Sequence, residues 1–297
     1  MQPPEPLPEE AVPPGTARLG RIWTPWRMQY VTGGPREEGC VFCNRLREQQ
    51  DTNALIAHRG DSAYVILNLF PYNTGHVMLV PQAHISSPED ADDATTHELA
   101  DLRRPVMRAV RRALNPVGFN IGVNVGAVAG AGIAAHLHEH IVPRWPGDAN
   151  FMPVIANTQV LPEVLPVTYA KIRAELQREL SGKEDVQVVL LDPDGEATLL
   201  TDGTFPAVSA RPEEPMWAAA LRLAQQLGVR DPVLLGWAGG QLAGQGPVVL
   251  ALGGVLPAQQ AVGSTAAVEL MAPEDAQFLA NAIALVRARS DTAAGTE

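Results

Sequence analysis

Three of the seven histidines in this 297-residue chain fall within five positions, His136, His138 and His140, in the stretch "GIAAHLHEHIVPRW". Imidazole is the commonest metal ligand, and it titrates near neutrality. A cluster of three therefore either binds a metal or supplies a nucleophile flanked by rings that orient it or hold an anion. A spacing of two scatters side chains around a helix but places them on one face of a strand. Read as a strand, "HLHEHIV" lines up three imidazoles and turns Leu137, Glu139 and Ile141 the other way. The segment just before it, "NVGAVAGAG" at 124–132, is rich in glycine and alanine. Such backbone approaches a ligand closely, and its N–H groups commonly cradle phosphate.

A second chemical signal is "GCVFC", with Cys40 and Cys43 the only two cysteines. That spacing suits a zinc knuckle, a redox pair or coincidence. A redox pair belongs at the edge of a thioredoxin-like βαβ pattern, and that context is missing here. Two cysteines cannot build a disulfide framework, which points to a reducing, cytoplasmic setting.

The elements that must hold these groups follow from patterning. "AYVILNLF" at 63–70 and "HVMLVPQ" at 76–82 read as strands joined through "PYNTG" as a hairpin. Residues 88–114 read as one long helix, with Pro88 near its first turn and Arg111 and Arg112 in its last. "FNIGVNV" at 119–125 is a further strand and 162–180 a helix. "SGKED" at 181–185 reads as a linker to a second pattern. In that pattern "VQVVLLD" and "EATLLT" are strands, 215–228 a helix closed by Gly228, "VVLALGGVL" a strand and 273–288 a last helix.

The length suits two domains at roughly 100–200 residues each. The expected division is a Pro/Glu-rich tail at 1–18, a first domain at 19–180, a second at 186–290 and a tail at 291–297. "RIWTPWRMQYV" at 21–31 gathers two Trp and a Tyr for docking on an apolar surface. The formal net charge is −11, so no global basic field invites nucleic acid or an anionic membrane. No run reaches the ~18 apolar residues of a membrane span. The N-terminus lacks the basic and apolar regions of a secretory signal.

With these residues in view, "HLHEHIV" resembles the His-φ-His-φ-His-φ-φ motif of the histidine triad (HIT) family, with Glu139 in a usually apolar place. "AYVILNLFPYNTGHVMLVPQAH", "GFNIGVNVG" and "GCVFC" extend the likeness over roughly 19–180, closest to the bacterial diadenosine tetraphosphate phosphorylase or hydrolase branch. The resemblance implies an α+β fold, with an antiparallel sheet, helices and a homodimer. It also implies attack on a nucleotide α-phosphate, in a dinucleoside polyphosphate or an AMP conjugate. By position His138 is then the nucleophile, forming a covalent nucleotidyl-histidine, His140 contacts the phosphate oxygens, and His76 is an additional active-site histidine. Asn68 matches the ribose contact, Leu67 and Phe70 the base pocket and Asn124 the phosphate end, while Trp145 is expected to wall the substrate side. Gly132 stands where many relatives carry Ser or Gln, which leaves both water and phosphate as acceptors. The same likeness implies a structural zinc on Cys40, Cys43, His84 and His136. His58 and His97 are expected at the surface.

Residues 186–290 resemble a Nudix domain, a second α+β unit. With Gly228 as the motif's last glycine, Val229 and Leu223 take its apolar places and Ala207 and Glu213 its first glycine and glutamate. The catalytic Arg-Glu becomes Leu221-Arg222, and the glutamate pair becomes Gln225-Gln226. Magnesium wants hard anionic oxygen ligands, so no Mg2+ site is expected there, and a scaffolding, dimer or regulatory role is the natural one. The competing reading of the whole chain is a nucleotide-binding sensor whose second domain relays the bound state.

Overall fold

The computed structural model describes residues 38–148 and 163–294, apart from Gln241 and Gln245, and from residue 290 onward it describes the backbone only. The expected tail at 1–18 and the aromatic segment at 21–31 lie outside the described residues.

Two short helices, α1 (Val41–Arg47) and α2 (Asp51–Ala54), lead into a five-stranded sheet. Its strands are β1 (Ile56–Arg59), β2 (Ala63–Leu67), β3 (Val77–Pro81), β4 (Gly118–Val123) and β5 (Glu139–Arg144). They run antiparallel in the order β1-β2-β3-β5-β4. Alternation sorts their side chains. Val65, Leu67, Val77, Leu79 and Ile141 enter one apolar cluster, and Tyr64, Ile66, Met78 and Val80 enter another on the opposite face.

The first face is covered by α3 (Asp93–Leu114), which buries Leu102, Val106, Ala109, Val110 and Ala113 along one stripe. Two details differ from the sequence expectation. Pro88 opens a separate 3-10 turn, Pro88–Asp90, and α3 starts later because the Asp92 carboxylate accepts from Thr95 N–H at 2.8 Å and caps it. The strand expected through "HLHEHIV" starts only at Glu139. The carbonyl of Pro81 meets Nε2 of His136, 2.9 Å away, and Leu137 N–H turns to Ile85, so the ladder ends at the Leu79–Glu139 pair.

α4 (Leu165–Ser181) packs on α3 and β1 and, on its other side, on the second sheet. That sheet holds β6 (Asp185–Leu191), β7 (Ala197–Leu199), β8 (Ala207–Ser209), β9 (Arg230–Trp237), β10 (Val248–Val255) and β11 (Ala261–Gly263). Its order is β11-β7-β6-β10-β9, with β8 also paired to β6 and a parallel β6–β10 pair at the centre. Helix α5 (Met216–Gln226) packs on one face, and α7 (Pro273–Ala294), preceded by α6 (Ser264–Leu270), packs on the other. Val186, Val188 and Leu190 face one way and Val189 and Leu191 the other, all buried, which is why residues 188–191 of β6 read as a continuous apolar run. α7 continues to Ala294, past the point where the sequence suggests a loose tail.

One apolar cluster contains Val65 and Leu79 of the first sheet, Ile172 and Leu176 of α4, and Val188 and Leu250 of the second. One core therefore joins the regions on either side of residues 181–185, which are themselves exposed, and all described residues belong to one compact unit.

Candidate active site

His136, His138 and His140 lie on the face of the first sheet opposite α3. All three are buried, and the rings of His138 and His140 sit 4.8 Å apart. Glu139 faces the other way, where its carboxylate takes Nε and Nη2 of Arg103 on α3 at 2.7 and 2.8 Å. The expectation for Glu139 therefore has a physical partner: the usual apolar residue is replaced by one end of a bidentate ion pair.

Backbone groups decide the protons on these rings. The carbonyl of His136 accepts from Nδ1–H of His138 at 2.8 Å, which leaves the Nε2 lone pair as the nucleophilic position. Tyr72 N–H can only donate, and it points at Nδ1 of His76 at 3.1 Å. His76 then carries its proton on Nε2 and donates it to Nδ1 of His140, 2.9 Å away. His140, accepting at Nδ1, keeps its own N–H on Nε2. Burial pushes His138 below the ordinary imidazole value, against the opposing effect of its bond to the His136 carbonyl.

Gly75 shapes the approach to His76. Its φ is +77°, and a Cβ there would stand 2.3 Å from Leu114 at the end of α3. Asn68 lies beside the same ring, its amide nitrogen 3.3 Å from His76 Nδ1 and its oxygen accepting from Phe70 N–H at 2.9 Å.

The other expected substrate contacts divide. Phe70 is exposed near the histidines, whereas Leu67 is 2% exposed and packed in the core on the α3 side. Asn124 is half-buried just after β4, and Gly132 is exposed in the turn before His136. Trp145 is not beside the histidines. It lies past the far end of β5, where its indole N–H donates to Asn115 O at 3.1 Å. His97 is exposed as expected, but His58 is half-buried, and burial pushes it below the ordinary value.

Cys40, Cys43, His84 and His136 form a cluster whose ligand atoms all lie within 4.8 Å of one another. Nδ1 of His136 is 3.3 Å from the Cys40 sulfur and 3.6 Å from that of Cys43, and Nδ1 of His84 is 3.4 Å from Cys43. These edges suit a tetrahedron with N and S bonds of about 2.0 and 2.3 Å. Nε2 of His136 donates to Pro81 O, so Nδ1 presents its lone pair to the cluster, as expected of a metal-ligating histidine. The four residues can hold a metal ion.

Sequence reasoning passed over two residues here. Phe42, between the cysteines, has its ring 5.1 Å from that of His138 and 5.3 Å from that of His136. Tyr72 contributes the N–H that sets the His76 tautomer, and its ring lies 4.7 Å from that imidazole. Only the placement of Phe42 inside "GCVFC" hints at the first.

In the second region, Arg222 lies on α5. Its guanidinium is held by Glu214 at 2.8 Å through both Nε and Nη2, and Arg222 holds the Glu214 carboxyl down to about 2.

Residues 48–147 match the model of the HIT domain. An AP-4-A phosphorylase of Mycobacterium tuberculosis (strain ATCC 25618 / H37Rv) is 37% identical over 169 residues, spanning 54% of this chain and 87% of that protein. An uncharacterized HIT-like protein of Saccharolobus solfataricus is 33% identical over 113 residues, 38% of this chain and 79% of the relative. Among solved structures, a Zn-bound histidine triad family protein from Mycobacterium smegmatis aligns at 24% identity with a TM-score of 0.39, over 49% of this chain and 98% of that one. The domain model spans the histidine segment, and the mycobacterial relative is matched over most of its length. The chain therefore belongs to the HIT family.

Proposed function

We propose that this protein cleaves dinucleoside polyphosphates of the diadenosine tetraphosphate kind at an α-phosphate, through a covalent nucleotidyl-histidine on His138. The observation that carries the reading is the bond from His138 Nδ1–H to the His136 carbonyl, which puts the ring proton on Nδ1 and leaves the lone pair on Nε2. The 37% identity to an AP-4-A phosphorylase supports the substrate class.

In the first step Nε2 forms a bond to the α-phosphorus as the bond to the bridging oxygen breaks, and that oxygen leaves with the electron pair. The His136 carbonyl steadies the charge that appears on the imidazole. Nε2–H of His140, set by the His76 contact, donates to the phosphate oxygens as charge builds. An acceptor oxygen then attacks phosphorus and returns the pair to Nε2. Water as acceptor yields AMP and ATP and releases a proton, whereas phosphate yields ADP and ATP.

The four-residue cluster is proposed to hold a structural zinc. When bound, zinc ties the segment around α1 to the start of the catalytic strand. The second region is proposed to be Nudix-like and without Nudix hydrolysis, since Gln225, Gln226 and Arg222 supply no carboxylate. A homodimer is proposed through β4, which among the described residues is an edge strand and leaves Ile121 and Val123 exposed.

The test is product analysis after incubation with diadenosine tetraphosphate, with and without phosphate, beside a His138→Ala protein. ADP and ATP only with phosphate identify a phosphorylase, AMP and ATP a hydrolase, and both are lost in the variant. Tight binding without turnover would contradict the reading and favour a sensor.

A further inference from the structure

The loop between β9 and β10 of the second sheet, described at residues 238–240, 242–244 and 246, reaches the histidine-bearing face of the first sheet at its β1 edge. Arg173, fully buried on α4, fixes it. Nη2 donates to the carbonyls of Gly240 and Leu242, both at 2.9 Å, Nη1 donates to Thr52 Oγ1 at 3.1 Å, and the guanidinium lies 4.2 Å from the Trp237 ring. Gln177 secures the far end through Gly246 O at 2.8 Å. The loop then presents Ala243, whose N–H donates to Oδ2 of Asp51 at 2.7 Å. Asp51 is fully buried and also takes Nε and Nη2 of Arg59. A buried carboxylate at the start of the first region is thus completed by a backbone group 192 residues away.

The Ala243 side chain is 6% exposed and belongs to the same apolar cluster as Phe42, Ile56 and Tyr64. Tyr64 donates its hydroxyl to the Phe42 carbonyl at 3.0 Å, and the Phe42 ring stands against His138 and His136. His138 is therefore held on one side by the His136 carbonyl and on another by the Phe42 ring. Interiors are close-packed, so a shift at Ala243 is passed through the cluster to Phe42.

We infer that the second region is a brace for the catalytic histidine, with the 238–246 loop and Phe42 acting as positioning elements for His138. The inference rests on the proposal that His138 is the nucleophile. It gives the second region a function of its own, completing the site rather than carrying a second activity.

The test uses the full-length protein labelled with 15N-histidine, in wild-type, Phe42→Leu and Ala243→Val forms. Both variants keep an apolar side chain, and Ala243→Gly substitutes if the valine protein fails to fold. The readouts are the ring-nitrogen signals of His138 without substrate, kcat and KM on diadenosine tetraphosphate, and zinc content. Both variants are expected to shift or broaden the His138 signals while those of the exposed His97 stay in place. They are expected to lower kcat about 10-fold, as misplacement of a reacting group does, with KM within about twofold, the sign of a loss felt in the transition state. Wild-type His138 signals in the Ala243 variant would overturn the inference, as would a zinc content falling in step with kcat. If the wild type does not cleave this nucleotide, the ring signals still decide. Their shift upholds the brace while the substrate reading fails.

Discussion

Nε2 of His76 stands 2.9 Å from Nδ1 of His140, and this one contact fixes the protons on two rings. Tyr72 N–H starts the relay, because a backbone amide leaves His76 Nδ1 no role but acceptor. His76 then sets which face of His140 donates. Replacing His76 with Phe is expected to lower kcat on the order of 10²-fold, the cost of losing an aligned donor at developing charge. His76→Gln keeps an acceptor and a donor on one amide and is expected to recover part of that loss. Equal damage from both substitutions would show that the relay does not set the His140 tautomer.

The Cys40, Cys43, His84 and His136 cluster gives a second expectation. Metal analysis of the purified protein should find zinc near one per chain, and Cys43→Ser should strongly reduce it. A chelator should lower Tm, because a metal that binds only the folded state contributes its binding energy to stability. Unchanged zinc in the Cys43 variant would place the metal elsewhere.

Glu139 departs from the family pattern yet faces Arg103 on α3, away from the reacting groups. Glu139→Gln is expected to leave kcat within about twofold. It is expected to reduce stability by no more than about 1 kcal/mol, since the Arg103 end of the pair is solvent-exposed. A denaturant titration beside steady-state kinetics checks both, and a large kcat loss would mean that Glu139 reaches the chemistry.

His58 supplies a pH dependence. Burial pushes its imidazole below the ordinary value, against the opposing pull of Glu98 and Asp61. The unfolded chain, with an imidazole near about 6.5, then binds the proton more readily than the folded one. Stability from this group is complete above that value and is lost as pH falls toward the folded pKa. His58→Gln should flatten the fall in Tm between about pH 7 and 5. An identical slope in both proteins would remove His58 as a contributor.

Much of the site can be read from the chain because its chemistry sits in one short segment. A spacing of two places His136, His138 and His140 on one side and Glu139 on the other, and the structure keeps that division although the ladder begins only at Glu139. The tight "PYNTG" connection marks the hairpin that brings His76 to His140. What could not be read depends on distant partners. Ala243 meeting Asp51, Arg173 binding loop carbonyls and Phe42 wedged on His138 leave no periodic trace. The family likeness places Leu67 at a base pocket, while the sheet's alternation gives it to the core. β9 is masked in the sequence because "RDPVLLGW" carries a proline and a glycine, which an edge strand tolerates.

In the proposed reaction His138 Nε2 takes the nucleotide. The most direct measurement mixes the protein with diadenosine tetraphosphate, quenches in alkali within one turnover, and maps adducts by peptide mass spectrometry. The expected result is one adenylyl group on the peptide holding His138, absent from His138→Ala and present in His76→Phe. Turnover by the wild type with no adduct at any time, or an adduct that persists in His138→Ala, would contradict it.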